Sequence, residues 1–434
     1  MSFRDQVEFS MIASRERQHK ERVPRIKKYR QNILPITAIY GGNASGKSNL
    51  FKALRFAKDY IVDGKRPGET ILIKPFKLDE EKLKQPTSFL FDILVDETIY
   101  EYSFSVSRNE VIKERLDKIT SSSEQVLYNR NSGTPYIDKS VLKEDSDLKT
   151  LLERTDSNQL FLTNSIFQKA TVFKPVYSWF QKTLKLIQPE SQFVPFIRLG
   201  DADDPLGSFV NEVLPKLDTG INHLERKDLP SDSFKIPEDV LQKIDDYPDA
   251  ELILGQSKEK ITITRSGDSL KASKLVSCHY DNRGSEVQFD FHEESDGSKR
   301  LIDLLPAIIQ LSKNKSKKVY FIDEIDRSMH TLLTRKILEM FLNTVSENSR
   351  SQLIFTTHDV LQMDQDLLRR DEMWVTERET SGVSRLFSFS EYKDVRYDKD
   401  LIRSYLNGRL GGIPKILLCS DMIKEEGLEE GLVE

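Results

Sequence analysis

The sequence predicts an α/β fold: a P-loop sheet of largely parallel strands, joined by an antiparallel β-subdomain and a mainly helical lid insertion. Three observations predict it. An apolar run (33–40) enters the glycine-rich stretch GGNASGKS (41–48) and leaves it in a helix-periodic segment. A second apolar run, KVYFIDEID (318–326), ends in adjacent carboxylates. A third, SQLIFTTHDVL (351–361), ends in Thr357-His358-Asp359.

Strand, G-x-x-x-x-G-K-S, helix is the context that gives the first motif a mechanism. Gly41 and Gly46 permit the tight loop. Backbone N–H groups of the loop, across Gly42, Asn43, Ala44, Ser45 and Asn49, face phosphates together with the helix N-terminus. Lys47 is placed to neutralise β- and γ-phosphates and the Ser48 hydroxyl to ligate Mg²⁺. The expected cofactors are therefore ATP and Mg²⁺. In the following segment Leu50, Leu54, Ala57 and Ile61 fall at helical spacing.

The second run has the form of a Walker-B strand. Asp323 is expected to hold Mg²⁺ through water, and Glu324 to orient or deprotonate the attacking water. Between it and the third run lies the helix-like TLLTRKILEMFLNTV (331–345). That strand–helix–strand spacing brings both strand ends to one edge of a parallel sheet, where ligands bind. His358 is thus a candidate γ-phosphate sensor. His330, just past the second run, reads as a helix-end residue.

One charged cluster needs a different explanation. FHEESDGSKRLIDLLPAII (291–309) opens an apolar helix carrying Leu301, Leu304, Leu305, Ile308 and Ile309. Ser295 and Asp296 are good N-cap residues, and capping alone could account for Ser295. A helix N-terminus also attracts anions. The order of motifs is phosphate loop, long insert, Ser-x-Gly helix start, Asp-Glu, His. This is the order of an ABC-type ATPase, whose signature helix serves the ATP held by the opposite subunit; an AAA+ ring protein would show sensor motifs and an arginine finger after Walker B. Ser295, Asp296 and Gly297 are accordingly expected at the nucleotide of a second copy, and Asp326 in a D-loop at the interface. Pro306 predicts a kink or a break in the helix, because its ring clashes with the preceding turn.

Composition bounds the rest. With 38% hydrophobic and 31% charged residues the chain can bury a real core. No apolar run approaches the ~18 residues of a membrane span, and the N-terminus is charged where a signal peptide is apolar, so a cytoplasmic location is expected. Cys278 and Cys419 are too few and too isolated for a disulfide framework or a metal site. The net charge of −5 makes no global argument for nucleic acid. Basic residues do crowd between Arg15 and Arg30, as a solvated strand and turn or as a phosphate-backbone contact. The Asp-x-Asp pairs Asp364/Asp366 and Asp398/Asp400 read as solvated helix starts, and the acidic tail as frayed.

Four divisions follow. Residues 1–115 form an N-terminal lobe with the P-loop and the β-subdomain, whose alternation shows in TSFLFDILVDETIYEYSFSV (87–106). Residues 116–260 form the mainly helical insertion, without sustained heptads and with helix-like segments such as VYSWFQKTLKLI (176–187). Residues 261–415 form the C-terminal lobe with signature, Walker B, D-loop and H-loop. An acidic tail covers 416–434.

IYGGNASGKSNLFKAL, ESDGSKRLIDLLPAII, FIDEIDRSMHTLLTRKIL and IFTTHD closely resemble the AAA15 family of prokaryotic ABC-type ATPases. That group includes the ATPase subunits of RloA/AbiLi-like abortive-infection and PARIS-like phage-defence systems. Softer matches occur at FSMIAS (9–14), KPFKLDEEKLKQPTSFLFDI (74–93), LFLTNSI (160–166), LDTGI (217–221) and YLNGRLGGIP (405–414). The resemblance implies an SMC/Rad50/OLD-like ATPase head that dimerises through composite ATP sites, with the option of a higher oligomer. It implies a separately encoded effector, a Toprim- or RloB-like nuclease, since too little chain follows His358 for the Toprim domain of OLD nucleases. A phage protein or DNA would be the trigger. A DNA-repair ATPase of the SMC/Rad50/RecF kind is the main rival reading, and a slow-turnover assembly platform the third. Two departures stand out. Relatives begin with a strand running into Asn-Phe-x-Ser-Phe, so the first strand is expected to be missing or shortened, with Arg4 as the adenine contact. No Q-loop glutamine is assignable; Gln85 and Gln125 are the candidates.

Overall fold

The computed structural model describes residues 2–131, 134–190, 196–201, 203–230, 252–256, 259–266, 269–392 and 401–413. Asp398, Asp400, Cys419 and the acidic tail lie outside the described residues.

The central sheet begins with β1 (Ile36–Tyr40), all five residues of which are buried. Ile36, Ala38 and Tyr40 enter one core and Ile39 the other, as the period of two requires in a strand covered on both faces. The loop after β1 leads into α1 (Lys47–Asp63), which buries Phe51, Ala57, Tyr60 and Ile61. Gly64, at φ 68°, ends it in a conformation that suits glycine.

A second sheet is antiparallel: β2 (Thr87–Val95), β3 (Thr98–Val106), β4 (Val111–Ile119), β5 (Glu124–Arg130) and β6 (Tyr136–Ile137), in sequential order. Asp96 and Glu97 both have positive φ, the backbone of a two-residue hairpin whose twist matches its strands. β2 and β3 pair across 87–106, as the alternation predicts. Aromatic side chains from this sheet, including Phe89, Tyr102 and Phe104, pack against Tyr60 and Phe56 of α1 and against Phe180.

The insertion carries the helices expected of it, among them Pro205–Val213, and strands as well. β4 runs across the 115/116 boundary, and β5 and β6 extend the antiparallel sheet. Short helices at Lys139–Glu144, Leu148–Arg154 and Phe161–Phe167 follow. The stretch 176–187, expected to be helical, is only partly so. After Lys174–Ser178 and a π-type turn, it becomes β7 (Leu184–Ile187). Its apolar spacing fits a helix locally, but its backbone is captured by the open edge of the Walker-B strand (Val319↔Leu184, Ile322↔Ile187). Pairing those buried N–H and C=O groups outweighs a weak local preference.

A third sheet holds β8 (His223–Leu229), β9 (Leu252–Gln256), β10 (Glu259–Ser266), β11 (Ser269–Tyr280) and β12 (Glu286–Asp290). β11 is its centre, with β8 on one edge and β10 and β12 along the other. From β12 the chain passes to α2 (Asp296–Ser312). α2 runs unbroken through Pro306 rather than ending there. The donor missing at Pro306 is tolerated within a helix whose apolar residues, Leu301, Leu304, Leu305 and Ile308 among them, are all buried.

The central sheet is completed by β13 (Val319–Ile322), β14 (Gln352–Thr356), β15 (Met373–Arg378) and β16 (Ser384–Ser388), with α3 (Thr331–Leu342) between β13 and β14. Its order is β16-β15-β1-β14-β13-β7, and β16 alone is antiparallel. β14 thus lies between the P-loop strand and the Walker-B strand. α2 and α3 cover one face of this sheet in one continuous core; α1 and the antiparallel sheet cover the other.

The basic stretch is mostly a surface turn, with one exception. Arg22 is buried and bonds Glu372 at 2.9 Å. Lys28 sits over the Tyr29 ring. Among the described residues, no helix is long and apolar enough to cross a membrane.

Candidate active site

The carboxyl ends of β1, β13 and β14 meet at one edge of the central sheet, and the loop, the acids and His358 meet there. Ala44 has φ 60°, Gly41 149° and Gly46 121°. A Cβ at Gly41 would lie 2.4 Å from Thr376 Oγ1, and one at Gly46 would lie 2.8 Å from Ser384 Oγ. Only glycine fits at either place. The loop is held from outside by β15 and β16: Ser45 Oγ meets Thr376 Oγ1 at 2.6 Å. Gly42 N–H donates to the Gly412 carbonyl at 2.8 Å. Gly408, Gly411 and Gly412 of the C-terminal glycine segment all have positive φ, and this segment packs internally, against the P-loop. Asn43 and Ala44 are exposed at the tip.

Lys47, the first residue of α1, is buried. Its Nζ donates to the carbonyls of Gly41 (2.6 Å) and Gly42 (3.2 Å) and lies 3.4 Å from His358 Nδ1. Burial pushes its pKa down to about 8, against the upward pull of Asp323, Glu324 and Asp326. Ser48 and Asn49 form the next step of the helix. The Asn49 side-chain amide donates to the Ser2 hydroxyl.

On the Walker-B side, Asp323 is buried and its Oδ1 accepts from Thr356 Oγ1 at 2.6 Å. The same hydroxyl accepts the Glu324 N–H at 2.7 Å. Glu324 has φ 50°, a conformation that costs a non-glycine residue on the order of 1 kcal/mol and turns the chain sharply at the strand end. His358 N–H donates to Asp326 Oδ2 at 3.3 Å. Partial burial, with the charge of Lys47 second, holds the His358 imidazole below its ordinary pKa, which favours a neutral ring.

The helix start is built differently. Ser295 is the N-cap of α2, its Oγ accepting from Ser298 N–H at 3.0 Å. Asp296 pairs with Lys299 at 3.1 Å. Gly297 lies so close to the Ser328 carbonyl that a Cβ would be 2.7 Å from it, which fastens the turn that opens α2 to the turn that follows β13. Among the described residues, no hydrogen bond or ion pair joins Ser295, Asp296 or Gly297 to residues 41–49. The structure thus brings Gly41–Ser48, Asp323, Glu324, Asp326 and His358 together within one chain and leaves Ser295 and Asp296 exposed, and Gly297 half-buried, apart from them.

Several contributors escape sequence inspection. Thr356 organises both acids. Arg300 is buried in α2 and donates to the carbonyls of Asp323, Glu324 and Gln188, each at 3.3 Å, tying α2 to the ends of β13 and β7. Gln188 follows β7 at the same sheet edge. Its backbone carbonyl is what Arg300 meets, and its place at this edge is legible only once 184–187 is known to be a strand. Gln85 and Gln125 are elsewhere: Gln85 ends the short helix Glu80–Lys84, and Gln125 lies in β5 bonded to Asp138. Arg4 bonds Asp5, and it is Phe3 that lies beside Gly46. His330 caps α3 through Leu332 N–H. Asp364 pairs with Arg335 at 2.6 Å.

An ammonium, a hydroxyl and carboxylates at the mouth of a glycine-stiffened loop form a hard, oxygen-rich set that fits a polyphosphate with Mg²⁺. A family model described as "AAA domain, putative AbiEii toxin, Type IV TA system" matches residues 36–364. No curated protein matches the chain. Among solved structures, the chain is similar to an SmcHead bound to the C-winged helix domain of ScpA, at 13% identity and TM-score 0.33, covering 82% of this chain and 92% of that one. It is also similar to an SMC head domain from Thermotoga maritima, at 13% identity and TM-score 0.27, covering 81% and 89%.

Proposed function

The chain belongs to this AAA-domain family, and from that premise we propose that it is an ATP-hydrolysing sensor or scaffold of a prokaryotic antiphage defence system. In this reading two copies sandwich two ATP molecules and hold or activate a separately encoded effector, a nuclease of Toprim or RloB type. One observation carries the catalytic part: Lys47, Asp323, Glu324 and His358 converge at a single sheet edge, with Thr356 bonded to both Walker-B residues.

The roles follow from the chemistry of the groups. Loop amides from Gly42 to Ser48 and the α1 N-terminus bind the phosphates. Lys47 gives up its loop carbonyls to neutralise the terminal phosphates. Glu324 receives the proton of the attacking water, and a neutral His358 contacts the γ-phosphate. Ser48 and Asp323 would hold Mg²⁺, which supplies charge neutralisation of the β- and γ-oxygens. The exposed Ser295 and Asp296, with the half-buried Gly297, serve the nucleotide of the partner copy, with Asp326 and its turn at the interface. The γ-phosphate then joins two copies, and its loss separates them. Binding energy becomes a change of assembly that an effector can sense.

The test is Glu324→Gln. With ATP and Mg²⁺ this variant is expected to run as a dimer or larger species on a sizing column and to release no phosphate. A variant that stays monomeric with ATP bound would overturn the sandwich. Affinity capture of the effector from a native host, retained with Glu324→Gln and lost with Lys47→Ala, tests the scaffold role.

A further inference from the structure

The third sheet places four metal-ligating side chains on one face. Cys278, in the central strand β11, is directly opposite His223 of β8 and Gln288 of β12. Glu225 lies two residues from His223, and Glu286 two from Gln288, so both point to the same face as Cys278. One ligand atom from each of His223, Glu225, Cys278 and Glu286 lies within 4.8 Å of all the others. Specific distances include 3.8 Å from His223 Nε2 to Glu286 Oε2 and 3.8 Å from Cys278 Sγ to Glu225 Oε2.

We infer that His223, Glu225, Cys278 and Glu286 form a binding site for a borderline-soft divalent cation, Zn²⁺ by the nature of the ligand set. One nitrogen, one sulfur and two carboxylate oxygens make a four-coordinate set that a hard ion such as Mg²⁺ does not favour. Ligands on a tetrahedral zinc stand roughly 3.3–3.8 Å apart, given bonds of about 2.0–2.3 Å. The four atoms therefore need to close by only about 1 Å, and the two exposed glutamates have the rotamer freedom to do so.

A second observation points to a cation. Two carboxylates flank one thiol, yet among the described residues neither pairs with a lysine or arginine. The nearby Lys227 bonds the amide of Gln288 instead, at 2.9 Å, and that amide holds Glu225 at 2.8 Å. The shell behind the imidazole is also in place. Asn222 lies 3.1 Å from His223 Nδ1. The atom facing the ring is Nδ2; a flip of that amide turns its oxygen to accept Nδ1–H and leaves Nε2 free for the metal. Binding would release the Cys278 proton, since the thiolate is the ligand.

The site would pin β12 to β11 and β8. β12 ends at Asp290, which pairs with Lys274 and leads directly to the cap at Ser295. A cation here braces the strand that delivers the signature turn. The inference stands independently of the proposed ATPase cycle.

The test uses the full chain, freed of metal by chelation and titrated with Co²⁺ and then Zn²⁺ without nucleotide. A sulfur-to-cobalt charge-transfer band at one equivalent is expected, displaced by Zn²⁺. Cobalt held by the oxygens of Ser48 and Asp323 gives no such band. The band should persist in Cys419→Ser and vanish in Cys278→Ala. His223→Gln and Glu286→Gln, at half-exposed or exposed positions that leave the fold intact, should each weaken Zn²⁺ by about 10- to 100-fold in chelator competition. No band in the unsubstituted chain, a band surviving Cys278→Ala, or a band lost in Cys419→Ser would overturn the site, as would undiminished Zn²⁺ affinity in both His223→Gln and Glu286→Gln.

Discussion

The hydroxyl of Thr356 donates to Asp323 Oδ1 at 2.6 Å, from the end of one buried strand to the end of its neighbour. The same oxygen accepts the Glu324 N–H at 2.7 Å. One hydroxyl thus fixes the Asp323 carboxylate and the backbone of Glu324 together. Thr356→Val keeps the shape and removes the hydrogen bonds. It should lower turnover at least about tenfold, the effect of about 1.4 kcal/mol on a barrier, with little change in ATP affinity. The unmatched buried carboxylate should cost about 1–3 kcal/mol of stability. Steady-state hydrolysis, nucleotide titration and thermal melting measure the three effects.

Ser295 has two duties in the proposed dimer, as cap of its own helix and as ligand of a neighbour's nucleotide. Ser295→Ala alone would confound them, because loss of the cap costs about 1 kcal/mol. Mixing separates them. Lys47→Ala and Ser295→Arg should each be inactive when purified alone. Mixed, they form some heterodimers in which one composite site has both an intact loop and an intact signature, and turnover should reappear. A site built within one chain would give no recovery.

Lys47 gives the site a pH dependence of known sign. Burial lowers its pKa to about 8, so the free site loses its ammonium charge above that pH, while bound phosphate favours the charged form. ATP affinity should be flat below pH 8 and fall with rising pH above it, approaching tenfold per pH unit. Proton uptake above pH 8, measured as a buffer-dependent binding enthalpy, should accompany it. Constant affinity to pH 9.5 with no proton uptake would contradict the assignment.

The P-loop is also braced from far along the chain. Gly412 has φ 72°, and a Cβ there would lie 2.3 Å from Val375 Cγ1. Its carbonyl receives Gly42 N–H and Tyr405 OH. Gly412→Ala should displace that carbonyl, lower the melting temperature and weaken ATP binding. Gly408→Ala, whose added Cβ would meet only Ile413 at 4.0 Å, should cost stability through its positive φ and affect ATP affinity far less.

Motifs whose chemistry is local were legible in the residues. GGNASGKS needs only its own glycines and the strand and helix beside it. FIDEID and IFTTHD each carry a strand and its terminal acid or histidine, and Ser295 caps the helix it opens. The β2–β3 hairpin was visible in its alternation. The insertion was legible only in part. The run 176–187 has a helix-like apolar spacing, and nothing within it announces that β13 offers an unpaired edge to 184–187. The place of Gln188 at this edge was hidden for the same reason.

The sequence by itself determined the nucleotide loop, the acidic strand end and the order of motifs along the chain, because each depends on neighbours within a few residues. Tertiary structure alone decided that Thr356 joins the Asp323 carboxylate to the Glu324 backbone, that Gly412 props Gly42, that Arg300 ties α2 to the end of β13, and that Cys278 meets His223, Glu225 and Glu286. Those contacts depend on strand order and cross-strand register. These are set by which buried edges and faces find partners in the folded chain, and no short stretch of residues encodes that alone.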